Sequence, residues 1–204
     1  MGGKTRTNSA GETPKALDHD PPAKEKLTPL GILMLATGAL TLIFGSHDTS
    51  DFWADGLKLW WQTVREKSSH VRQLVIYLDN GPNNSGTRTQ FLKRMVEFAD
   101  WSGLTLRLVY YPPYHSKYNP IERCWSSLER KWGGELLNCL KIVLQCALRM
   151  TWKEKHPTVK RLAGVYPSGV RVPRGAPKRE LESRLERSKS LPKYDIVIRP
   201  RQVS

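Results

Sequence analysis

From Leu27 onward the chain switches between short apolar runs and longer stretches whose apolar residues recur every three or four positions; before Leu27 neither pattern is found. The first pattern predicts strands and the second predicts helices packed by one face. Leu27 to Phe44 is apolar almost throughout and approaches the length of a membrane-spanning helix. Pro29 and Gly31 interrupt its start, however, and Thr37-Gly38 divides it into two runs of strand length. The division predicts a hairpin, Gly31 to Leu35 against Ala39 to Phe44, turning at Ala36-Thr37-Gly38. Asp48-Thr49-Ser50-Asp51 then supplies a capping hydroxyl and acids for a helix start. That helix carries Phe52, Trp53, Leu57, Leu59, Trp60, Trp61 and Val64, so its tryptophans are expected in the core.

The next run, Leu74 to Leu78, is β-branched and apolar, and it closes on Asp79 before the turn residues Asn80-Gly81-Pro82. Gly86 to Trp101 reads as an amphipathic helix with Phe91, Leu92, Met95, Val96 and Phe98 inward. Leu104 to Tyr110 reads as a strand, and Pro112-Pro113 as a turn. Asn119 is a good N-cap, Pro120 suits the first helical position, and Glu122 falls in the first turn of a helix reaching about Trp132 and ended by Gly133-Gly134. Glu135 to Trp152 has the stripe of one more helix, and a brief one is expected from about Lys178 to Arg187.

Strands alternating with helices make this an α/β chain, and 204 residues suffice for one domain with a real core. Residues 1–26 are polar and punctuated by Gly and Pro, the pattern of a mobile arm; 27–152 hold the periodic elements; 153–204 form a basic extension. Against 19 Asp+Glu stand 33 Lys+Arg, a net charge of +14. Such a surplus suits a polyanion, most often nucleic acid, although uncommitted basic surfaces and anionic-membrane proteins share it. The lysines and arginines after Lys153 are open to two readings, a grip on phosphates or a solvated tail. Cys124, Cys139 and Cys146 lack metal-ligand spacing and read as reduced, packed thiols. No secretory signal begins the sequence, so a cytoplasmic location is expected.

The chemistry concentrates in two acids. Asp79 ends a strand, where open α/β sheets place ligands, and Glu122 heads a helix. Each has a plainer reading, Asp79 as a turn residue and Glu122 as the return partner of a capping box. The surrounding phrase, Tyr111-Pro112-Pro113-Tyr114-His115-Ser116-Lys117-Tyr118-Asn119-Pro120-Ile121-Glu122-Arg123-Cys124-Trp125, resembles the last-acid motif of bacterial insertion-sequence transposases of the mariner-like superfamily. Leu78-Asp79-Asn80-Gly81-Pro82 with Ser85-Gly86 resembles the second-acid motif of the Rhodopirellula-type group in particular.

The resemblance runs from Gly2 to about Pro200. It implies an RNase H-like mixed sheet flanked by helices, and a DDE triad holding two Mg²⁺ (or Mn²⁺) ions for cleavage and joining of DNA strands. On that basis Asp79 and Glu122 are the catalytic and metal-binding acids. Lys117, His115 and Asn119 beside Glu122, and Arg88 and Lys93 on the preceding helix, are candidates to contact DNA. The partners implied are transposon ends and target DNA, with a homo-oligomer open, no membrane, and a location at the bacterial nucleoid.

One departure counts against a complete enzyme. The family's Gly-Gly-Lys-Thr-Arg segment follows the strand that bears its first acid, and here Gly2-Gly3-Lys4-Thr5-Arg6 stands at the very start. The first strand and its aspartate are therefore expected to be missing, and the chain by itself inactive. The alternative is a non-catalytic DNA-binding remnant; a membrane-attached basic protein using Leu27 to Phe44 is a third reading.

Overall fold

The computed structural model describes residues 27–112, 115–132 and 140–201. The polar arm of residues 1–26, Gly133-Gly134, the expected helix start at Glu135 and Cys139 lie outside them. The first apolar run forms the expected hairpin: β1 (Thr28–Leu33) pairs antiparallel with β2 (Leu40–Gly45), Leu33 opposite Leu40. At the turn Gly38 takes a left-handed φ of 69°, which a side chain would strain. Among the described residues, no helix is long and apolar enough to cross a membrane.

Helix α1 (Ser50–Val64) starts as its sequence predicts, with Thr49 Oγ1 accepting from Phe52 N at 3.2 Å. Trp60 and Trp61 are buried, as their spacing requires. Gly56 of α1 lies against Leu30 of β1, and a Cβ there would overlap that side chain. Strand β3 (Gln73–Leu78), helix α2 (Thr89–Ser102) and strand β4 (Thr105–Tyr110) follow, with β3 and β4 parallel and Leu74 opposite Leu106. Gly103, at φ 72°, ends α2. Then come α3 (Ile121–Trp132) and α4 (Leu140–Arg149).

Helix α4 stops short of the expected Trp152. Lys153 (φ 47°) and Glu154 (φ 64°) make a tight turn between Trp152 and Lys155, whose backbones bond to each other in both directions (2.8 and 3.0 Å). A left-handed pair ends a helix whatever its apolar stripe suggests.

The basic stretch from Lys153 on contributes to both sheets. β5 (Thr158–Arg161) lies parallel to β2, giving a three-stranded sheet in the order β1-β2-β5. The predicted brief helix forms as α5 (Ala176–Ser183). β6 (Glu186–Arg187) and β7 (Asp195–Ile198) then complete a four-stranded sheet in the order β3-β4-β7-β6. Several arginines offered above to phosphates are engaged inside the protein. Arg184 donates to both Asp100 oxygens (2.7 and 3.1 Å), and Arg187 donates to Glu182 at 2.9 Å. Lys153, Lys155, Lys178 and Arg179 stay exposed.

The first sheet is covered on both faces. Leu40, Leu42 and Phe44 of β2 pack with Cys124 and Leu128 of α3 and Val143 and Ala147 of α4, whereas Ile43 belongs to the core shared with α1 and α2. The second sheet packs Leu106, Leu108, Ile196 and Ile198 with Phe91, Leu92 and Met95 of α2. On β3, Val75 and Tyr77 are 46% and 48% exposed. The fold is α/β, a mixed set of strands flanked by helices.

Candidate active site

Asp79 follows the last residue of β3. Tyr111 N donates to Leu78 O at 2.9 Å, which carries the β3–β4 pairing one step further and fixes the backbone that bears the acid. Asn80 then turns the chain at a φ of 62°, a conformation asparagine tolerates better than most residues. The turn brings two donors back onto Asp79 Oδ1: Asn84 Nδ2 at 2.7 Å and Gly81 N at 3.3 Å. Asn84 is only 1% exposed. The loop is fastened to the start of α1, since Asn83 Nδ2 donates to Asp48 O (2.9 Å) and Ser50 Oγ donates to Asn83 O (2.7 Å).

Glu122 comes from α3. Asn119 is buried, its Oδ1 accepts from Ile121 N at 3.4 Å and its carbonyl accepts from Glu122 N at 3.1 Å, so it caps this helix as its sequence predicts. Burial holds the Glu122 carboxyl above its ordinary pKa, and the negative charges of Asp79 and Glu129 raise it further. Asp79, Asn119 and Glu122 all line one cavity of about 480 Å³ bounded by β1, β3, α1 and α3.

The other candidates lie elsewhere. Lys117 and His115 sit on the loop before α3, both exposed; the His115 ring stacks on Tyr118 at 5.8 Å, and Lys117 Nζ lies 5.2 Å from the centre of that ring. Arg88 is not in the wall of the cavity; its Nη2 donates to Val170 O at 3.3 Å, and it lines a separate polar hollow with Asp48, Asp51 and Gln90. Lys93, exposed on α2, pairs with Glu97 at 3.2 Å. Asn84 is the residue that sequence reasoning misses, because an asparagine in a turn and one aimed at a carboxylate look alike in the chain. Among the described residues, no group of three or more Asp, Glu, His or Cys side chains is placed to hold a metal ion.

The family described as the Rhodopirellula transposase DDE domain matches residues 1–200. The chain belongs to this transposase family. No curated protein and no solved structure matches it.

For a transposase-family site the state of Glu122 has a measurable consequence. A carboxyl whose folded-state pKa is raised loses folding free energy as pH climbs from its ordinary value through the raised one. At pH 7 the cost is fully present. Glu122→Gln is therefore expected to stabilise the metal-free protein at pH 7, by about 0.5–1 kcal/mol given solvent screening of a partly exposed group. Thermal unfolding at pH 7 and pH 4 checks this: the gain should shrink at pH 4, and an equal or absent gain at both would refute the assignment.

Proposed function

We propose that this chain is the catalytic domain of a DDE transposase, built for metal-dependent cleavage and joining of DNA strands, and that residues 27–201 hold two of its three acids. One observation carries the reading. Two carboxylates from separate elements line one cavity, one oriented by a buried amide and the other lying within the field of the first. Oxygen-only donors of this kind suit Mg²⁺ or Mn²⁺. Bound between Asp79 and Glu122, a pair of such ions would supply activation of the attacking hydroxyl and stabilisation of the leaving oxygen.

The protein's own part is positional. Asn84 fixes Asp79 Oδ1, and Asn119 holds the first turn of α3 and with it Glu122. Lys117, exposed on the loop that leads into α3, would offer a point charge to a phosphate, with His115 as a second contact. The +14 surplus supports backbone affinity for transposon ends and target alike, salt-dependent and blind to sequence. RNase H-like topology, assembly of copies on DNA and a place at the bacterial nucleoid belong to the same reading.

Asp79 and Glu122 alone would hold metal weakly, and this polypeptide is expected to nick supercoiled DNA no faster than a metal-free control. It should still retard DNA in gels, less so as salt rises. Robust Mg²⁺-dependent nicking that vanishes in both Asp79→Ala and Glu122→Ala would show that the site is complete. Failure to bind DNA at low salt would remove the DNA-binding reading, whereas binding without cleavage also fits a non-catalytic remnant that competes for ends.

A further inference from the structure

The loop that follows Asp79 is held from a second side, by the basic stretch near the end of the chain. Arg187, in β6, donates in three directions. Its Nε and Nη2 reach the two Glu182 oxygens (2.9 and 3.2 Å), and its Nη1 donates to Gly86 O at 3.0 Å and to Pro192 O at 2.9 Å. A planar fork of five N–H groups can join three partners in this way, whereas an ammonium on a flexible stem cannot. Only 22% of the Arg187 side chain is exposed, so its charge is turned inward and away from any phosphate.

Gly86 stands two residues beyond Asn84, the amide that orients Asp79. It lies so close to Lys193 that a Cβ would run into that residue's carbonyl oxygen. The turn between β6 and β7, which makes this close approach, is itself braced. Ser188 N donates to Asp195 O (3.0 Å), and Tyr194 N and Asp195 N both donate to Leu191 O (2.9 and 3.0 Å). Tyr194 O accepts from Tyr110 N at 2.9 Å, which ties the turn to the last residue of β4, the strand paired with β3. At the far end of the loop, Arg88 donates to Val170 O at 3.3 Å.

We propose, on the reading of Asp79 as a metal-holding acid, that Arg187 is a positioning residue for it. Arg187 and the β6–β7 turn press the loop into the one place from which Asn84 reaches the carboxylate. Both donors to Asp79 Oδ1, Asn84 Nδ2 and Gly81 N, belong to this loop, so their aim depends on where the loop lies. Asn83 and Ser50 fasten it to α1, and Arg187 fastens it to the sheet. Without the guanidinium, Gly86 is free to draw back from Lys193 and Asn84 to swing with it. Partners that orient a metal-holding carboxylate are typically worth about 10–100-fold in metal affinity. Arg187 acts one step further out, so the lower end is expected.

The test compares Arg187→Lys with Arg184→Lys in the full 204-residue chain. Both variants keep the charge and break a forked arginine–carboxylate pair, but Arg184 holds Asp100 and Arg199 O rather than the loop. Arg187→Lys is expected to weaken Mn²⁺ binding about tenfold, read by water-proton relaxation, and to speed amide exchange at Gly81, Asn84 and Arg88 in the metal-free protein. Arg184→Lys should leave both readings unchanged, whatever it does to stability. Gly86→Ala disturbs the same contact from the loop side and should reproduce the losses with every arginine intact, so it decides the matter if Arg187→Lys fails to fold. Unchanged affinity in Arg187→Lys, or an equal drop in Arg184→Lys, would overturn the proposal and leave Arg187 a structural residue. If the unsubstituted chain shows no Mn²⁺ binding that Asp79→Ala removes, the metal reading itself falls and the positioning role with it, whereas intact binding with a silent Arg187→Lys removes the positioning role alone.

Discussion

Phe44→Ala is expected to cost about 3–5 kcal/mol of folding free energy. Phe44 is fully buried on β2, between β1 and β5, and packs into the layer formed by α3 and α4. Its carbonyl accepts from Leu162 N at 2.9 Å, so the same residue holds the end of β5 in place. Truncation leaves a void that a central strand, pinned on both edges, cannot close by moving. Because α3 rests on this layer, the loss is expected to loosen the helix that presents Glu122 as well. Urea denaturation measures the first effect, and amide exchange along Ile121–Trp132 the second. A loss below about 1 kcal/mol would mean that the layer is not packed as described.

Asn84→Ala is expected to lower divalent-metal affinity about 10–100-fold while altering stability by no more than about 1 kcal/mol. The contrast follows from how the amide is used. Its Nδ2 donates to Asp79 Oδ1 at 2.7 Å, but its Oδ1 is buried without a hydrogen-bond partner. A buried acceptor left unsatisfied cancels much of what the donor contributes to folding, so removing both atoms is nearly neutral for stability. Asp79, by contrast, loses the shorter of the two bonds that set its orientation, with only Gly81 N at 3.3 Å remaining. Mn²⁺ titration followed by water-proton relaxation reads the affinity, and urea denaturation of the metal-free protein reads the stability. Unchanged affinity would sever Asn84 from the acid; a large stability loss would make its role structural.

The elements with strong periodicity were legible in the chain. The β1–β2 hairpin, the Thr49 cap, the tryptophans of α1 and the Asn119 cap all follow from local residue chemistry, and each is found. β6 and β7 were not legible, because two- and four-residue strands within a basic, Pro-rich stretch have no alternation to detect. Their pairing rests on distant partners, such as Arg107 with Asp195 at 2.8 Å. At the site, Asp79 and Glu122 stand out through the phrases around them, whereas Asn84 is recognisable only once the turn has folded back.

The positions of β5 and β7 bear on how the protein is made. Each sheet takes a strand from the last quarter of the chain, β5 beside β2 and β7 beside β4. During synthesis from the amino end, β2 and β4 are made long before β5 and β7, so each keeps an edge open to stray pairing until its late partner emerges. Emergence of those late strands, rather than of the helices, is therefore expected to set the moment at which each sheet becomes resistant to proteases.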